Sequence, residues 1–570
     1  MNRKNWIWFT GIWLYPIMAI LFHFMLDGLS EDMDIPNYIK AIATYGIPLL
    51  FPYIVFTTNR QRQKRGQTDF SFSACYGLAE KDERHSKAFT DAAFPDIPKG
   101  YDSKVPEGLV LGTHKGKYLS VPMRKDGFNF FAIGTPGSGK SVLLLSILYS
   151  MLYRKDIAKA KHLKEIPGRD FNFFMVDIKG ELFEKLLHLK SEDYVSIDHP
   201  EFQVVQPSNR HSYGWDVFYK IHSKNATETD LIKLANDIAD CFVVKGGKDS
   251  PFFTDNAKKI LSGLIYYYAR QGLDFVPIIQ KIMRVPMGKL LQEAVKGAIE
   301  NQWGVVIDKL AGFIGKDGNE SVGDIEATLK TYLEVFSYPD IQYAFYENPV
   351  KTSPAVLNDG VTNLDLAIEE SMLATYQPIF RLVTMQVLRH CESDFKEDDD
   401  RYTCLILDEA ARIGQIESID STLATARSKH TAVLFFFQSI SQFKDIYPKE
   451  KANSLLNLCE IKIFLSGSGD KDSTDYVSAM AGDYETTKMS YKRKGFFGGK
   501  SDGNYTTERR PIVDSRTMME LRDNNEIIAF VYGHYVRCKK LRYFEDPILA
   551  PIIRDKEYEA AMNMLKSKIG

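Results

Sequence analysis

The chain has 570 residues, of which 44% are hydrophobic, so it can bury the cores of two or more domains and is not disordered. Its formal net charge of −2 excludes a globally basic nucleic-acid-binding protein, and any contact with nucleic acid must come from local patches. The six cysteines are scattered singly, without a metal-binding pair, and we expect them to be reduced, cytosolic and mostly packed.

Two apolar segments near the N-terminus predict a membrane anchor. Residues 6–26 carry no formal charge and are long enough to cross a bilayer as a helix, and the shorter run 41–56 can do so if residues 38–40 are counted. The segment between them is acidic and both outer flanks are basic, which places both ends in the cytoplasm. A cleaved signal peptide or a buried hairpin explains these features less well, so residues 1–66 are expected to form a transmembrane helical hairpin.

A phosphate-binding loop (P-loop) is predicted where GTPGSGKS separates an apolar strand from a long apolar helix. A hairpin-like run at residues 108–120 leads into that strand. Backbone N–H groups of such a loop surround the phosphates of ATP, Lys140 would reach the β- and γ-phosphates, and Ser141 would offer its hydroxyl to Mg²⁺. The alternative is a glycine turn followed by a lysine, which the flanking strand and helix make less frequent. The residues expected to bind nucleotide are Gly134, Thr135, Pro136, Gly137, Ser138, Gly139, Lys140 and Ser141.

The elements after the P-loop change from strands to helices and back. A second buried strand, FNFFMVD, ends at Asp177, and short strand-like runs follow at residues 194–197 and 202–205. From about residue 216 to residue 338 apolar residues recur every three or four positions, which predicts an all-helical domain inserted into an α/β domain. The expected domains are 1–66 (membrane anchor), 67–215 and 341–570 (the two parts of the nucleotide-binding domain) and 216–340 (all-α insertion).

An acidic pair, Asp408 and Glu409, follows the apolar run of TCLILDEAARIG. In open α/β sheets ligands bind at the carboxyl ends of strands, where this pair is expected to lie. Asp408 would hold Mg²⁺, directly or through water, and Glu409 would orient and deprotonate the attacking water. Such a pair is common by chance, but together with a P-loop it indicates a site that hydrolyses ATP.

Arg427 and Gln438 flank the next predicted strand, residues 432–437. A helix is expected to end near residues 427–429. Gln438, at the tip of the strand, is where motor ATPases of this build place a polar residue that senses the γ-phosphate. Two alternatives stay open: Gln438 as a cap of the strand end, and Arg427 as a cation stabilised by the dipole of a helix C-terminus.

The sequence resembles the TraG/TraD-type coupling proteins of bacterial conjugation and type IV secretion. The resemblance covers residues 108–547 and rests on GTPGSGKS, VDIKGE, LILDEAARIGQIESIDSTLATARSKHTAVLFFFQSISQ and RRPIVDSRTMMELRDNNEIIAFVYGHYVRCKKLRYFEDP. It implies a RecA-like P-loop ATPase with an inserted all-α domain and an N-terminal transmembrane helical hairpin. It further implies a homo-hexamer in the bacterial inner membrane, with the ATPase domain in the cytoplasm.

The resemblance also implies roles for individual residues. Lys140 and Ser141 would bind ATP and Mg²⁺, Asp408 would bind the metal, and Glu409 and Gln438 would act in hydrolysis. Arg427 would be a finger that reaches the nucleotide of a neighbouring subunit. The family often has phenylalanine or proline after the acidic pair, where this chain has AARIG, a departure that does not touch the ion ligands.

The implied work is transfer of DNA, alone or with a relaxase or effector protein, toward a type IV secretion channel. A ring motor on single- or double-stranded DNA needs phosphate contacts rather than base readout. Residues 488–510 are a candidate for these contacts, because they hold seven lysine or arginine residues against two acidic ones, with interleaved aromatic residues. The alternative for this segment is a solvated, glycine-flexible loop.

Other functions share the predicted motor core. A HerA-like or chromosome-segregating DNA translocase and an assembly ATPase of the secretion machine have the same nucleotide residues, although the contexts VDIKGE and RYFEDP favour a coupling protein. A membrane-anchored adaptor that binds nucleotide, recruits protein substrates and barely hydrolyses ATP is a further alternative. Glu409 argues against the adaptor, because a protein that only binds nucleotide has no use for a base that activates water.

Overall fold

The computed structural model does not describe every residue of the chain. The described residues are 87–122, 128–163, 171–223, 226–243, 251–314, 320–358, 362–393, 402–416, 419–466, 470–491 and 503–569, with a few isolated positions before residue 45. Apart from those positions, the predicted transmembrane segments 6–26 and 41–56 lie outside the described residues. Within the described part of the chain, no helix combines the length and the apolar composition needed to cross a bilayer.

The described strands are numbered in chain order. They are β1 (Asp102–Ser103), β2 (Leu109–His114), β3 (Lys117–Val121), β4 (Asn129–Ile133), β5 (Phe171–Asp177), β6 (Phe202–Val205), β7 (Gly214–Trp215), β8 (Lys351–Thr352), β9 (Asn363–Ala367), β10 (Tyr402–Leu407), β11 (Thr431–Phe437), β12 (Ile461–Phe464), β13 (Asp483–Tyr491), β14 (Gly503–Pro511), β15 (Glu526–Val531) and β16 (His534–Lys540).

The described α-helices are numbered in the same way. They are α1 (Lys87–Ala93), α2 (Lys140–Leu152), α3 (Arg154–Ala160), α4 (Glu181–Leu187), α5 (Tyr219–His222), α6 (Glu228–Phe242), α7 (Pro251–Arg270), α8 (Phe275–Arg284), α9 (Met287–Glu300), α10 (Gly304–Leu310), α11 (Glu320–Leu333), α12 (Pro339–Gln342), α13 (Leu373–Ser393), α14 (Ile419–Ala426), α15 (Ile440–Ile446), α16 (Lys449–Asn457), α17 (Lys471–Ala481), α18 (Ser515–Asp523) and α19 (Leu549–Ile569).

The chain divides into two compact units, residues 96–477 with 515–570, and residues 1–95 with 478–514. The larger unit contains a sheet in which twelve of the described strands follow the order β1-β3-β2-β16-β15-β12-β4-β11-β10-β5-β9-β6. From β12 to β6 all neighbouring strands are parallel. Their carboxyl ends therefore lie at one edge of the sheet, which is where ligands bind in open α/β folds.

The central strands are buried on both faces, which explains their nearly continuous apolar sequences. Every residue of β4 and of β11 is buried, as expected of strands covered on both sides by helices. The helix α2 packs against this sheet and is buried along most of its length. The hairpin predicted at residues 108–120 is confirmed as β2 and β3, and the run at 202–205 is confirmed as β6.

The segment predicted to be helical begins and ends at a small parallel ladder. Gly214 and Trp215 of β7 pair with Lys351 and Thr352 of β8, and the described residues between these strands form helices α5 to α12 and helical turns. A π-helical turn, Tyr343–Glu347, continues the helices beyond residue 340. The domain boundaries 216 and 340 stay a prediction.

The strand predicted at residues 194–197 is wrong. Two 3-10 turns, Ser191–Asp193 and Ser196–Asp198, occupy this part of the chain. The Tyr194 hydroxyl donates to Phe202 O at 2.8 Å and accepts from Val204 N at 3.0 Å, so this side chain bonds directly to β6. Tyr194 is therefore buried through its side chain, which bonds to β6, and is not itself part of a strand.

In the smaller unit the described residues include α1 and the antiparallel hairpin of β13 and β14. The two strands pair from Asp483 and Pro511 to Tyr491 and Gly503. Phe89 of α1 contacts Tyr484 of β13, with the ring centroids 5.2 Å apart. The two ends of the basic stretch, residues 488–491 and 503–510, are paired strand, while residues 492–502 lie outside the described part.

Candidate active site

The residues of GTPGSGKS form a loop between β4 and α2. Gly139, at the N-terminal cap of α2, has a φ of +91°, a left-handed conformation that glycine adopts without strain. A Cβ at Gly134 would overlap the Ser138 hydroxyl, so the tight closure of the loop also requires glycine there. The helix α2 begins at Lys140, and the backbone N–H groups of its first turn, which have no partner within the helix, point toward the loop.

The Ser138 hydroxyl lies within this loop and is an available donor. It is buried and has no hydrogen-bond partner among the described residues. Buried polar groups are nearly always paired, so an orphaned hydroxyl in such a loop suits an oxyanion ligand. The loop is also bonded to the segment that follows β12, because Thr135 Oγ1 donates to Ser466 O at 3.3 Å.

Lys140, Glu409 and Gln438 converge at the carboxyl edge of the parallel strands. The Nζ of Lys140 donates to Glu409 Oε2 at 3.1 Å, and Nε2 of Gln438 donates to Glu409 Oε1 at 2.6 Å. The Lys140 and Glu409 side chains are only 10% and 19% exposed, so the pair is largely removed from solvent screening. Each residue follows a different strand of the sheet, namely β4, β10 and β11.

Glu409 adopts a backbone conformation that is unusual for its residue type. Its φ of 56° and ψ of 49° lie in the left-handed region, and its carbonyl accepts from Arg412 N at 2.8 Å. Such conformations cost free energy for non-glycine residues and are concentrated at functional sites. The turn aims Glu409 toward Lys140 and Gln438 while Asp408 stays next to the strand end.

Asp408 and Asp177 lie at the ends of neighbouring strands. Burial raises the pKa of Asp408, and the positive charge of Lys140 opposes this. Burial also raises the pKa of Asp177 to about 6, although the amides of Leu182 and Phe183 donate to its carboxylate at 2.7 and 3.2 Å. The negative charge of Asp408 also disfavours ionisation of Asp177, and the negative charge of Glu409 disfavours ionisation of Asp408.

Oxygen-bearing side chains of the types that Mg²⁺ takes are present in the P-loop and at the end of β10. Within the described part of the chain, no three carboxylate, histidine or cysteine side chains are grouped as metal ligands. Mg²⁺ usually keeps several waters and takes one or two protein oxygens plus substrate phosphates. Asp408 directly follows β10, and Ser141 is the last residue of GTPGSGKS. The carboxylate of Asp408 and the hydroxyl of Ser141 are oxygen ligands of this kind.

The structure separates the two interpretations of Gln438. Its backbone N–H donates to Gln442 Oε1 at 2.9 Å, so the end of β11 is capped by Gln442. The Gln438 side chain instead points to Glu409. A strand-end cap is therefore not the role of the Gln438 side chain.

The backbone of Arg427 lies at a different edge of the sheet from the strand ends that precede Glu409 and Gln438. It begins a 3-10 turn, Arg427–Lys429, after α14 and before β11. This turn lies at the amino ends of the parallel strands, whereas Glu409 and Gln438 follow their carboxyl ends. A strand of this length separates the two edges by roughly 20 Å.

The sequence interpretation missed contacts made by residues far away in the chain. The Nζ of Lys540 donates to Ser138 O at 2.6 Å, and the guanidinium of Arg522 lies beside Gly137. No local pattern marks these cations. The strand-end position of Asp177 was the one signal that could have placed it near Asp408.

Comparisons with known proteins identify relatives of this chain. A family model described as Type IV secretory system Conjugative DNA transfer matches residues 171–568. Protein VirD4 of Agrobacterium fabrum (strain C58 / ATCC 33970) is 23% identical over 393 residues, which are 66% of this chain and 55% of VirD4. Conjugal transfer protein TraG of Rhizobium radiobacter is 21% identical over 341 residues, or 59% of this chain and 53% of TraG. The chain thus spans about half the length of these relatives.

Solved structures show the same fold. The unbound bacterial conjugative coupling protein TrwBdeltaN70 is 18% identical, with a TM-score of 0.57 over 80% of this chain and 96% of that one. The plasmid coupling protein TrwB in complex with ADP and Mg²⁺ is 18% identical, with a TM-score of 0.58 over 79% of this chain and 91% of that one. The predicted α/β fold is confirmed and is shared with TrwB. The chain belongs to the family of type IV secretory system conjugative DNA transfer proteins.

Proposed function

We propose that the chain is an ATP-hydrolysing motor that couples DNA, protein or both to a type IV secretion channel. The observation that carries this proposal is the convergence of Lys140, Glu409 and Gln438 beside the P-loop. A cation, a carboxylate base and an amide at one strand edge are the groups that phosphoryl transfer to water requires. The family model and the names of VirD4, TraG and TrwB support the conjugative and secretory setting.

The geometry suggests how the site changes when ATP binds. Lys140 now donates to Glu409, and phosphates that take over its hydrogen bond would release one carboxylate oxygen of Glu409. Gln438 still holds the other oxygen and keeps the carboxylate oriented. Glu409 can then accept a proton from the attacking water, while the P-loop amides and Lys140 stabilise the phosphate charge.

Asp408 and Ser141 would hold Mg²⁺, which would neutralise part of the phosphate charge. The nucleotide would bind to the loop residues, and the Ser138 hydroxyl would donate a hydrogen bond to it. Arg427 lies at the opposite strand edge of its own chain, so a catalytic role would require a neighbouring subunit. On the family resemblance, the proposal includes a homo-hexamer in which Arg427 acts on the adjacent nucleotide.

The remaining partners are proposed on the sequence and the family. Residues 1–66 would anchor the chain in the bacterial inner membrane, with the ATPase part in the cytoplasm. Residues 216–340 would form an all-α insertion between the two parts of the nucleotide-binding domain, 67–215 and 341–570. The basic stretch 488–510 would contact DNA phosphates without reading bases, and a relaxase or effector would accompany the DNA.

An ATPase assay on the full-length chain in detergent tests this function. We expect ATP hydrolysis that single-stranded or double-stranded DNA stimulates, and Lys140→Ala should abolish it by weakening nucleotide binding. The exposed Lys155→Ala of α3 is a matched control and should behave like the wild type. Nucleotide binding without hydrolysis, with or without DNA, would contradict the motor and support a substrate-recruiting adaptor.

A further inference from the structure

Two cations from the C-terminal part of the chain lie against the P-loop, outside the group around Glu409. Lys540, the last residue of β16, donates from Nζ to Ser138 O at 2.6 Å. Arg522, on α18, lies beside Gly137, since a Cβ built on that glycine would be 3.6 Å from an Nη atom of Arg522. Both cations therefore approach the loop that is expected to hold nucleotide phosphates.

The position of Lys540 is fixed by the sheet and by the loop. Its backbone N–H donates to Asn525 O at 2.9 Å, and β16 pairs with both β15 and β2. Its ammonium group lies so close to Gly139 that a Cβ there would overlap it. Glycine at position 139 thus makes room for a lysine that is 402 positions from Ser138 in the sequence.

Lys540 and Arg522 have no acidic partner. Within the described part of the chain neither forms an ion pair, whereas the neighbouring Arg542 bonds to Glu545 at 2.9 Å. Burial, together with repulsion from Arg542 and Arg522, lowers the pKa of Lys540. The positive charge of Lys540 is partly buried without a counter-charge, which is unfavourable, and an anion bound at the loop would stabilise it. Arg522 is exposed to solvent and adds its positive charge beside the loop.

Lys140 is in a different electrostatic position. Its ammonium group already bonds to Glu409, on the side of the loop where Gln438 also lies. The uncompensated charge around the loop therefore comes from Lys540 and Arg522. A polyanion is the chemical class of ligand that this arrangement favours.

We propose that Lys540 and Arg522 complete the nucleotide site, where their positive charges stabilise the phosphates that ATP and ADP share. The inference rests on the proposed nucleotide-binding function and assigns it two further binding residues. Lys140 would also contact the phosphates, and in addition it pairs with Glu409 at the hydrolytic end of the site. Because Lys540 and Arg522 would act on phosphates that ATP and ADP share, ATP and ADP should lose affinity equally when either C-terminal cation is neutralised.

Binding of a fluorescent ADP derivative to the full-length chain in detergent, with displacement by ATP, tests this proposal. Lys540→Met and Arg522→Met should each weaken ADP and ATP about tenfold, because charge-assisted hydrogen bonds are among the strong ones. The ADP affinity of these variants should also depend less steeply on salt. Lys540→Arg, which keeps the charge, should restore most of the affinity.

Matched controls are available on the same elements. Lys539→Met changes the exposed neighbour of Lys540 on β16, and Arg516→Met changes an exposed arginine of α18 that pairs with Glu520. Both should bind ADP like the wild type. Circular dichroism of each variant verifies that the fold is kept.

The outcomes separate this inference from the proposed function. If the wild type binds ADP and Lys140→Ala does not, but both methionine variants bind like the wild type, only the present inference is overturned. Wild-type affinity in Lys540→Gln, which keeps a donor for the Ser138 carbonyl but no charge, would also overturn it. If the wild type binds no ADP, the nucleotide site itself is wrong and both proposals fall.

Discussion

The Nζ of Lys140 lies 3.1 Å from Oε2 of Glu409, although the two residues are 269 positions apart in the sequence. The pair forms because β4 and β10 both lie beside β11 in the sheet and run parallel to it. If Glu409 is the base, as proposed, Lys140 would have to exchange this partner before Glu409 could accept a proton. In the proposed function, binding of phosphates at the P-loop would therefore release Glu409.

Glu409→Gln should keep ATP binding and lose turnover. The amide still accepts and donates hydrogen bonds but cannot take a proton, and a general base contributes about 10²–10⁴ in rate. Measurement of ATP affinity and of turnover on the same preparation checks this expectation. Glu450→Gln, an exposed residue of α16, is the control, and turnover at the wild-type rate in Glu409→Gln would show that the base is assigned wrongly.

Gln438→Leu should slow turnover about tenfold to a hundredfold while leaving ATP affinity unchanged. The substitution removes the hydrogen bond that orients Glu409, and such bonds to charged groups contribute roughly 1.5–3 kcal/mol. Because Gln442 caps the end of β11, the melting temperature should change little. A variant that melts lower but hydrolyses ATP normally would indicate a structural role instead.

Arg427→Ala should reduce turnover by roughly 10³ or more if the residue acts on the nucleotide of an adjacent subunit. Nucleotide affinity and folding should stay nearly intact, since Arg427 lies at the opposite strand edge from the P-loop of its own chain. Steady-state turnover and ATP affinity are the measurements. Lys429→Ala, in the same turn, is the control.

Mixing Arg427→Ala with Lys140→Ala subunits tests the action between subunits directly. Some activity should return, because an intact arginine from one chain can meet an intact P-loop from the other. If Arg427 is instead a cation stabilised by the helix dipole, Arg427→Ala should lower the free energy of unfolding by about 0.3–1 kcal/mol and change turnover little. Mixed subunits that assemble together but stay inactive would reject the finger.

Asp365→Asn should stabilise the chain increasingly as the pH rises. Asp365 is buried in β9 without a hydrogen-bond partner for its carboxylate among the described residues, and burial, reinforced by Asp177, raises its pKa well above the ordinary value. In the unfolded chain this carboxyl group has an ordinary pKa of about 3.9. As the pH rises above about 4, the unfolded chain loses this proton first, so the wild type loses stability.

Calorimetry between pH 4 and pH 7 measures this effect. The melting temperatures of wild type and Asp365→Asn should be most similar near pH 4, and the variant should exceed the wild type by a growing margin toward pH 7. Asp555→Asn, at an exposed position of α19, should follow the wild type throughout. If the melting temperatures of Asp365→Asn and the wild type differ by the same amount at every pH, Asp365 does not take up a proton on folding and the prediction is wrong.

The motifs and several strands could be predicted from local sequence. GTPGSGKS marks the P-loop because glycine allows the close approach at position 134 and the left-handed backbone at position 139. The apolar runs before Asp177, Asp408 and Gln438 are confirmed as strands, since buried parallel strands are apolar on both faces. The strand predicted at residues 194–197 is wrong, because Tyr194 satisfies its hydrogen bonds through a side chain rather than a ladder.

The sequence by itself therefore determined which residue types are available to hold phosphate, bind Mg²⁺ and activate water. The motifs also placed the acidic pair in one site with the P-loop. Tertiary structure alone decided the individual contacts, such as that of Lys140 with Glu409 and that of Lys540 with Ser138. The physical reason is that short-range spacing fixes a strand or a turn, whereas the order of strands in a sheet depends on burial summed over the whole domain. The contact of Lys540 with Ser138, 402 positions apart, follows from that order and leaves no local trace.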